Sequence, residues 1–123
     1  MHFDIVTIFP DVIDRLANVG VVGRGLKSGL INLKVHDLRN FCDDPRRTVD
    51  DAPYGGGPGM VLKAQPFLRA LDHIHESQGV PDSVVLLSPQ GKTLTHGMVE
   101  RLSRLQHIVL FCGRYEGVDE RIS

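Results

Sequence analysis

Two apolar runs near the end of the chain constrain the fold more than any other feature. The runs SVVLLS (83–88) and HIVLFC (107–112) are continuous rather than alternating, which is typical of strands buried on both faces of a sheet. Between them, residues 95–105 place Met98 and Leu102 on one face of a predicted helix. This succession predicts a βαβ unit. The fold class is therefore α/β, a mostly parallel sheet with helices on both faces.

The rest of the chain adds strands and helices of the same class. Residues 3–9 form another apolar, β-branched run, and residues 30–38 alternate between apolar and polar side chains, so both are predicted strands. Helices are predicted after Pro10 and over 64–79, where the closing glycine is a stop signal. Residues 20–29 hold four glycines, which predict a loop or a broken helix.

Composition narrows the function classes. The 123 residues carry a net charge of −1, so any nucleic-acid-binding footprint must be local. No apolar run approaches the ~18 residues of a membrane span, and the start MHFDIVTIFPDV lacks the basic region of a signal peptide. Cys42 and Cys112 have no C-x-x-C spacing and fit a reducing compartment, with Cys112 as a small core residue. A cytoplasmic protein without a membrane partner is expected.

A stretch without periodicity, residues 41–61, is longer than most loops of a compact domain. Its segment GGGPG (55–59) can bring backbone N–H groups to an anion, or it can be a plain flexible turn. It fails the dinucleotide-binding fingerprint, because the third glycine would fall at Met60. The residues before this segment include two arginines, two aspartates and a tyrosine: Arg46, Arg47, Asp50, Asp51 and Tyr54. The arginines can bind a nucleic-acid phosphate backbone, and an aspartate can accept a hydrogen bond from the edge of a guanine base.

Polar segments follow both continuous strands, at the sheet edge where α/β proteins bind ligands. SPQGKT (88–93) is not a phosphate-binding P-loop, because Leu86 stands where that motif needs glycine. It is either a strand-to-helix turn or a ligand loop. GRYEG (113–117) has charged and aromatic residues between two glycines. A functional role for this segment is favoured over an exposed turn with surface charges. Tyr115 can stack or hydrogen-bond, and Glu116 can accept from an amine or a base edge.

The histidines do not predict a metal site. His73 and His75 are two residues apart, which is the wrong spacing for one helix face. His36, His96 and His107 are scattered along the chain, and solvent-exposed positions are predicted for them. No residue is therefore assigned as a metal ligand.

Long segments of the chain resemble the bacterial tRNA (guanine-N1)-methyltransferase family of the SPOUT superfamily: DIVTIFP, GVVGRGLKSGLI, RRTVDDAPYGGGPGMVL, LLSPQGK and FCGRYEGVDERI. The resemblance covers nearly the whole chain and keeps the order and spacing of the segments. It implies a trefoil-knotted α/β domain and a homodimer. It also implies methyl transfer from S-adenosylmethionine to N1 of the tRNA guanosine just 3′ of the anticodon, with magnesium as a further cofactor.

The resemblance assigns individual residues to roles. Two groups are implied to line the methyl-donor pocket: Leu87, Ser88 and Pro89, and then Gly113, Tyr115, Glu116 and Gly117. Glu116 is further implied to support catalysis beside the target base. The residues implied to face tRNA are Arg24, Asp50, Tyr54, Gly55, Gly56, Gly57, Gly59 and Arg114.

Members of that family are longer than this chain. The resemblance therefore implies that residues 1–123 are an amino-terminal methyltransferase domain with an incomplete knot. The general base and the carboxyl-terminal tRNA-binding domain of the family lie beyond the position of Ser123. We expect these residues alone to be inactive. The alternative is a non-catalytic α/β module that binds a nucleotide or S-adenosylmethionine.

Overall fold

The computed structural model describes residues 1–42, 50–51, 61–62, 64–87 and 93–112. Along the chain the elements are β1 (His2–Thr7), α1 (Pro10–Ala17), α2 (Gly20–Ser28), β2 (Asn32–Asp37), a 3-10 helix (Leu38–Phe41), β3 (Asp50–Asp51), β4 (Val61–Leu62), α3 (Ala64–Gln78), β5 (Ser83–Leu87), α4 (His96–Ser103) and β6 (His107–Cys112). Four strands form one parallel sheet in the order β2-β1-β6-β5. The predicted α/β class is confirmed.

The two central strands of this sheet come from opposite ends of the sequence. β1 pairs with β6 in a register that runs from His2 opposite His107 to Val6 opposite Phe111. β6 is buried as its continuous apolar pattern predicts. β5 has the same pattern but is 44% exposed at Val84 and 49% exposed at Leu87. Burial of β5 on both faces was therefore a wrong prediction, because β5 pairs only with β6 among the described strands.

One face of the sheet is covered by α3. Phe67 of this helix packs against Phe111 of β6, with ring centroids 4.7 Å apart, and both side chains are almost fully buried. Val6 and Val109 complete the sheet side of this core. The helix ends before Gly79, whose φ of 88° is left-handed, so the predicted stop is confirmed.

α1 and α2 border the opposite face of the sheet, where their side chains line a cavity together with Phe3 and Ile5 of β1. α1 begins at Pro10, as predicted. α2 is a continuous helix, so the prediction of a loop or broken helix over 20–29 was wrong. Its glycines allow close approach: a Cβ on Gly23 would lie 2.7 Å from the backbone carbonyl carbon of Asn18, and one on Gly25 would lie 2.8 Å from Ile31 Cδ1. Tertiary packing here overrides the weak helix propensity of glycine.

The region without periodicity contains structure that the pattern does not predict. The 3-10 helix occupies its first residue, and β3 and β4 pair as a short antiparallel ladder. The predicted incomplete knot concerns residues outside the described ranges and stays a prediction, as does the extent of the domain. Within the described residues, no helix is long and apolar enough to cross a membrane.

Candidate functional site

The carboxyl ends of β5 and β6 lie side by side. Leu87 is the register partner of Cys112, and the two strands are parallel. The candidate segments 88–92 and 113–117 each begin one residue beyond this pair. Both segments were predicted to follow strands, and the strand register shows that these two strand ends are adjacent. In α/β proteins, this edge of the sheet is where ligands bind.

β1 ends at the same edge, and local hydrogen bonds fix how the chain leaves it. The Phe9 backbone N–H donates to Thr7 Oγ1 at 3.1 Å. The Arg39 guanidinium donates to the Ile8 carbonyl oxygen at 2.6 Å. Burial raises the pKa of the Cys112 thiol, which disfavours the nucleophilic thiolate.

The described residues include only part of the predicted site. Leu87 lies at the end of β5 with a half-exposed side chain. Arg24 lies on α2 and is exposed. Asp50 lies on β3 opposite Leu62, so the predicted glycine loop falls between two paired strands in the sequence. The others lie outside the described residues: Ser88, Pro89, Gly113, Arg114, Tyr115, Glu116, Gly117, Tyr54, Gly55, Gly56, Gly57 and Gly59.

A second group of polar side chains gathers around Asp4 of β1. Asp4 of β1 has no exposed surface and is contacted by three histidines: His2, His36 and His107. His2 Nε2 lies 2.9 Å and His107 Nε2 lies 2.6 Å from Asp4 Oδ2. His36 Nε2 lies 2.6 Å from the other oxygen, Oδ1. We refer to these four residues as the Asp4 cluster.

The electrostatics of the Asp4 cluster favour the carboxylate. Burial raises the pKa of Asp4, but the hydrogen bonds from His36 and His107 and the positive charge of His2 and His36 outweigh it, so the pKa lies below its ordinary value. The predicted solvent exposure of His36 and His107 was wrong. His36 is 6% exposed, and His107 is partly buried. Both histidines are shielded from water because the parallel strands bring each of them to the carboxyl group of Asp4.

A local signal for this cluster is present in the sequence. His2 and Asp4 are two residues apart on a strand, so their side chains share a face of the sheet. His107 begins the neighbouring strand directly opposite His2. The strand order that joins them is non-local, and for that reason the histidine spacing alone did not reveal the cluster.

A second carboxylate, that of Asp82, ties β5 to β6 at their starts. Asp82 Oδ2 accepts hydrogen bonds from the backbone N–H groups of Gln106 at 2.9 Å and His107 at 3.0 Å. These two bonds outweigh the small effect of burial and hold the pKa of Asp82 below its ordinary value. Asp82 thereby fixes the backbone of His107, whose imidazole contacts Asp4.

Two relatives and one solved structure are similar to this chain. A tRNA (guanine-N(1)-)-methyltransferase of Thermosipho melanesiensis is 42% identical over 123 residues, covering 100% of this chain and 50% of the relative. One of Ralstonia nicotianae is 47% identical over 123 residues, covering 99% of this chain and 47% of the relative. The crystal structure of a tRNA (m1G37) methyltransferase from Aquifex aeolicus superposes with a TM-score of 0.89 at 42% identity, covering 99% of this chain and 55% of that chain.

The chain thus spans about half the length of the curated relatives that it matches. The sequence model of the family described as tRNA (Guanine-1)-methyltransferase TrmD matches residues 1–123, the whole of this chain. The family model that matches the whole chain, the relatives and the similar solved structure together show that the chain belongs to the tRNA (guanine-1)-methyltransferase TrmD family.

Proposed function

We propose that this chain forms the methyl-donor side of a tRNA (guanine-N1)-methyltransferase, which transfers a methyl group from S-adenosylmethionine to N1 of the guanosine just 3′ of the anticodon. One observation carries the proposal: Leu87 and Cys112 are register partners, so both candidate pocket segments start at one point of the sheet edge. The family match over residues 1–123 supports a methyltransferase reaction for the chain.

The reaction needs three things from the protein. N1 of guanine carries a proton, so a base must remove it before N1 can attack the methyl group. Donors toward guanine O6 stabilise the charge that develops, and binding aligns N1 with the methyl group. S-adenosylmethionine supplies the electrophilic methyl group when bound. In this chain we assign donor binding to two groups of residues: Leu87, Ser88 and Pro89, and then Gly113, Tyr115, Glu116 and Gly117.

The tRNA side is assigned to a different set of residues. Arg24 and Arg114 supply positive charge for the phosphate backbone. Asp50 and the loop 54–59 are assigned to the target guanosine, and Glu116 supports catalysis beside it. The general base is assigned to the part of the family that the matched half does not contain. A cytoplasmic location follows from the tRNA substrate.

Magnesium has no support of its own among the described residues. The one group there that can hold a metal ion contains two imidazoles, whereas magnesium prefers oxygen ligands. We therefore derive no step of the reaction from magnesium.

A homodimer is supported by the apolar surface of α1 and α2. A cavity of about 370 Å³ opens beside them, and its lining is almost entirely apolar: Phe3, Ile5, Ile13, Leu16, Val22 and Leu110. Leu16 of this lining and Val21 of α2 are largely exposed. Light scattering should give a dimer mass that Leu16→Glu converts to a monomer, while Leu94→Glu, at an equally exposed site, leaves it unchanged. A monomer at every concentration would refute this part of the proposal.

The function is tested with a chimera, because the relatives are about twice as long as the matched stretch. The chimera carries these 123 residues in place of the matching half of the R. nicotianae relative. It should methylate a tRNA transcript with guanosine 3′ of the anticodon, and a transcript with adenosine there should stay unmethylated. Glu116→Gln should lower turnover. A folded chimera without activity would refute the function.

The isolated chain separates the remaining alternatives. We expect no methyl transfer by the 123 residues alone, and turnover above background would contradict that expectation. The alternative function is a non-catalytic module for a nucleotide or S-adenosylmethionine. Calorimetry with S-adenosylhomocysteine and with ATP distinguishes the two ligand classes, and an inactive chimera that still binds one of them favours the module.

A further inference from the structure

The Asp4 cluster has a geometry that hydrogen bonding alone does not require. Two imidazole nitrogens, His2 Nε2 and His107 Nε2, converge on the same oxygen, Asp4 Oδ2, at 2.9 and 2.6 Å. These three atoms all lie within 4.8 Å of one another. Two imidazoles and one carboxylate are a ligand set that transition metals prefer.

We propose that His2, Asp4 and His107 form a binding site for one Zn²⁺ ion, with a water molecule as the fourth ligand. Zinc bonds of about 2.0–2.2 Å in a tetrahedral site place neighbouring ligand atoms about 3.3 Å apart. The two N–O distances are 2.9 and 2.6 Å, so the side chains need to open by less than about 1 Å. Each bound imidazole is neutral and keeps its proton on Nδ1.

His36 supports this assignment by holding the carboxylate oxygen that does not face the ion. Its Nε2 lies 2.6 Å from Asp4 Oδ1, so one carboxylate oxygen is held and the other is presented to His2 and His107. The His36 ring is buried and meets the His73 ring edge-on, with centroids 6.0 Å apart. A hydrogen bond to the second oxygen of a ligating carboxylate is the usual way in which proteins orient such a ligand.

The backbone holds the three ligands on rigid elements. His2 and His107 are register partners on the two central strands. The His2 N–H donates to the Gln106 carbonyl at 2.7 Å, and Asp82 fixes the His107 N–H. The side chains of His2 and His107 are 24% and 12% exposed, so an ion can approach the cluster from their side. The three ligands therefore stand on rigid strands and two of them reach solvent.

The proposed zinc site lies at the opposite end of the strands from the segments that are assigned to the methyl donor. His2 and His107 begin their strands, whereas the candidate methyl-donor segments follow the opposite ends of the parallel strands. The ion would link β1 to β6 and stabilise the fold. Its loss would lower the melting temperature without removing any residue assigned to the donor or tRNA.

Zinc titration of the untagged 123-residue chain tests the proposal. Calorimetry should give one ion per chain, and Co²⁺ should give the visible absorption of a low-coordinate site. His2→Gln and His107→Gln should weaken binding by more than His36→Gln, for which the expected loss is roughly 10–100-fold. His96→Gln is the matched control, because His96 is exposed and pairs only with Glu100 in the described part of the chain. It should bind zinc like the wild type.

Wild-type protein gives a test that does not depend on how the variants fold. Substoichiometric Co²⁺ should broaden the ring signals of His2 and His107 first, and those of His75 and His96 should stay sharp. Zinc should also raise the melting temperature of the wild type and leave that of His107→Gln unchanged. The proposal is overturned if zinc does not saturate at one ion per chain, or if the His96 signals respond before those of His107.

Discussion

Replacing Asp4 with asparagine removes a buried charge and keeps the size of the side chain. The carboxylate has no exposed surface and receives three imidazole contacts. Asparagine offers one acceptor oxygen instead of two and adds two N–H donors. At most two of the imidazoles can then donate to oxygen, and the third must change tautomer to accept from the amide. We expect a folded but clearly less stable protein.

The size of the effect follows from the three contacts. A hydrogen bond to a charged group contributes about 1.5–3 kcal/mol, against about 1 kcal/mol for a neutral pair. Loss of the charge therefore costs about 1 kcal/mol per contact, or about 3 kcal/mol in the free energy of unfolding. This is the lower end of what removing one partner of a buried ion pair costs.

Urea unfolding followed by circular dichroism measures the change. The buffer contains EDTA, so that the result reports on the hydrogen bonds and not on a bound metal ion. Asp72→Asn is the matched control, because Asp72 is an exposed aspartate on α3, and its expected effect is within about 0.5 kcal/mol. A double variant with His36→Gln should be less destabilised than the sum of the two single variants. If Asp4→Asn unfolded with the midpoint of the wild type, the reasoning about the Asp4 cluster would be refuted.

Three further predictions concern packing and pH. Gly23→Ala places a methyl group 2.7 Å from backbone and should lower the free energy of unfolding by about 1–3 kcal/mol in urea, whereas Gly97→Ala meets no atom within 4 Å and should raise it by about 0.5 kcal/mol. Equal effects of the two substitutions would refute the close approach of Gly23 to the backbone of Asn18. Phe67→Ala should cost about 3–5 kcal/mol, and Leu68→Ala, half-exposed on the same helix, less than about 1 kcal/mol. Because its folded pKa is lowered, Asp82 stabilises the protein above its unfolded pKa, and this contribution is lost as the pH falls through the folded pKa. The melting temperatures of wild type and Asp82→Asn should therefore differ at pH 7 and converge toward pH 2, and a constant difference would contradict the assignment.

The elements that were predicted correctly carry their signal in a short window. The continuous runs of β5 and β6, the alternation of β2 and the helical face of α3 each reflect a local choice between burial and exposure. α2 was missed because the contacts that tolerate Gly23 and Gly25 lie outside the helix, on Asn18 and Ile31. β3 and β4 are two residues each, too short to show any periodicity.

The candidate site divides in the same way. That the candidate segments follow β5 and β6 could be predicted, since a polar segment after an apolar strand is a local pattern. The adjacency of Leu87 and Cys112 could not, because it depends on strand register. The Asp4 cluster is the extreme case: Asp4 and His107 are 103 residues apart, and no local pattern relates them.

The same separation sets the order in which the chain can fold. β1 can pair with β2 as soon as about 30 further residues have been synthesised. Pairing with its other neighbour, β6, closes a loop of more than 100 residues, so the entropic cost of this pairing is larger. On the ribosome, the most buried strand of the amino-terminal half thus waits with one edge unpaired until His107–Cys112 has been synthesised. Pulse-labelling hydrogen exchange should show the amides that join β1 to β2 protected before those that join β1 to β6.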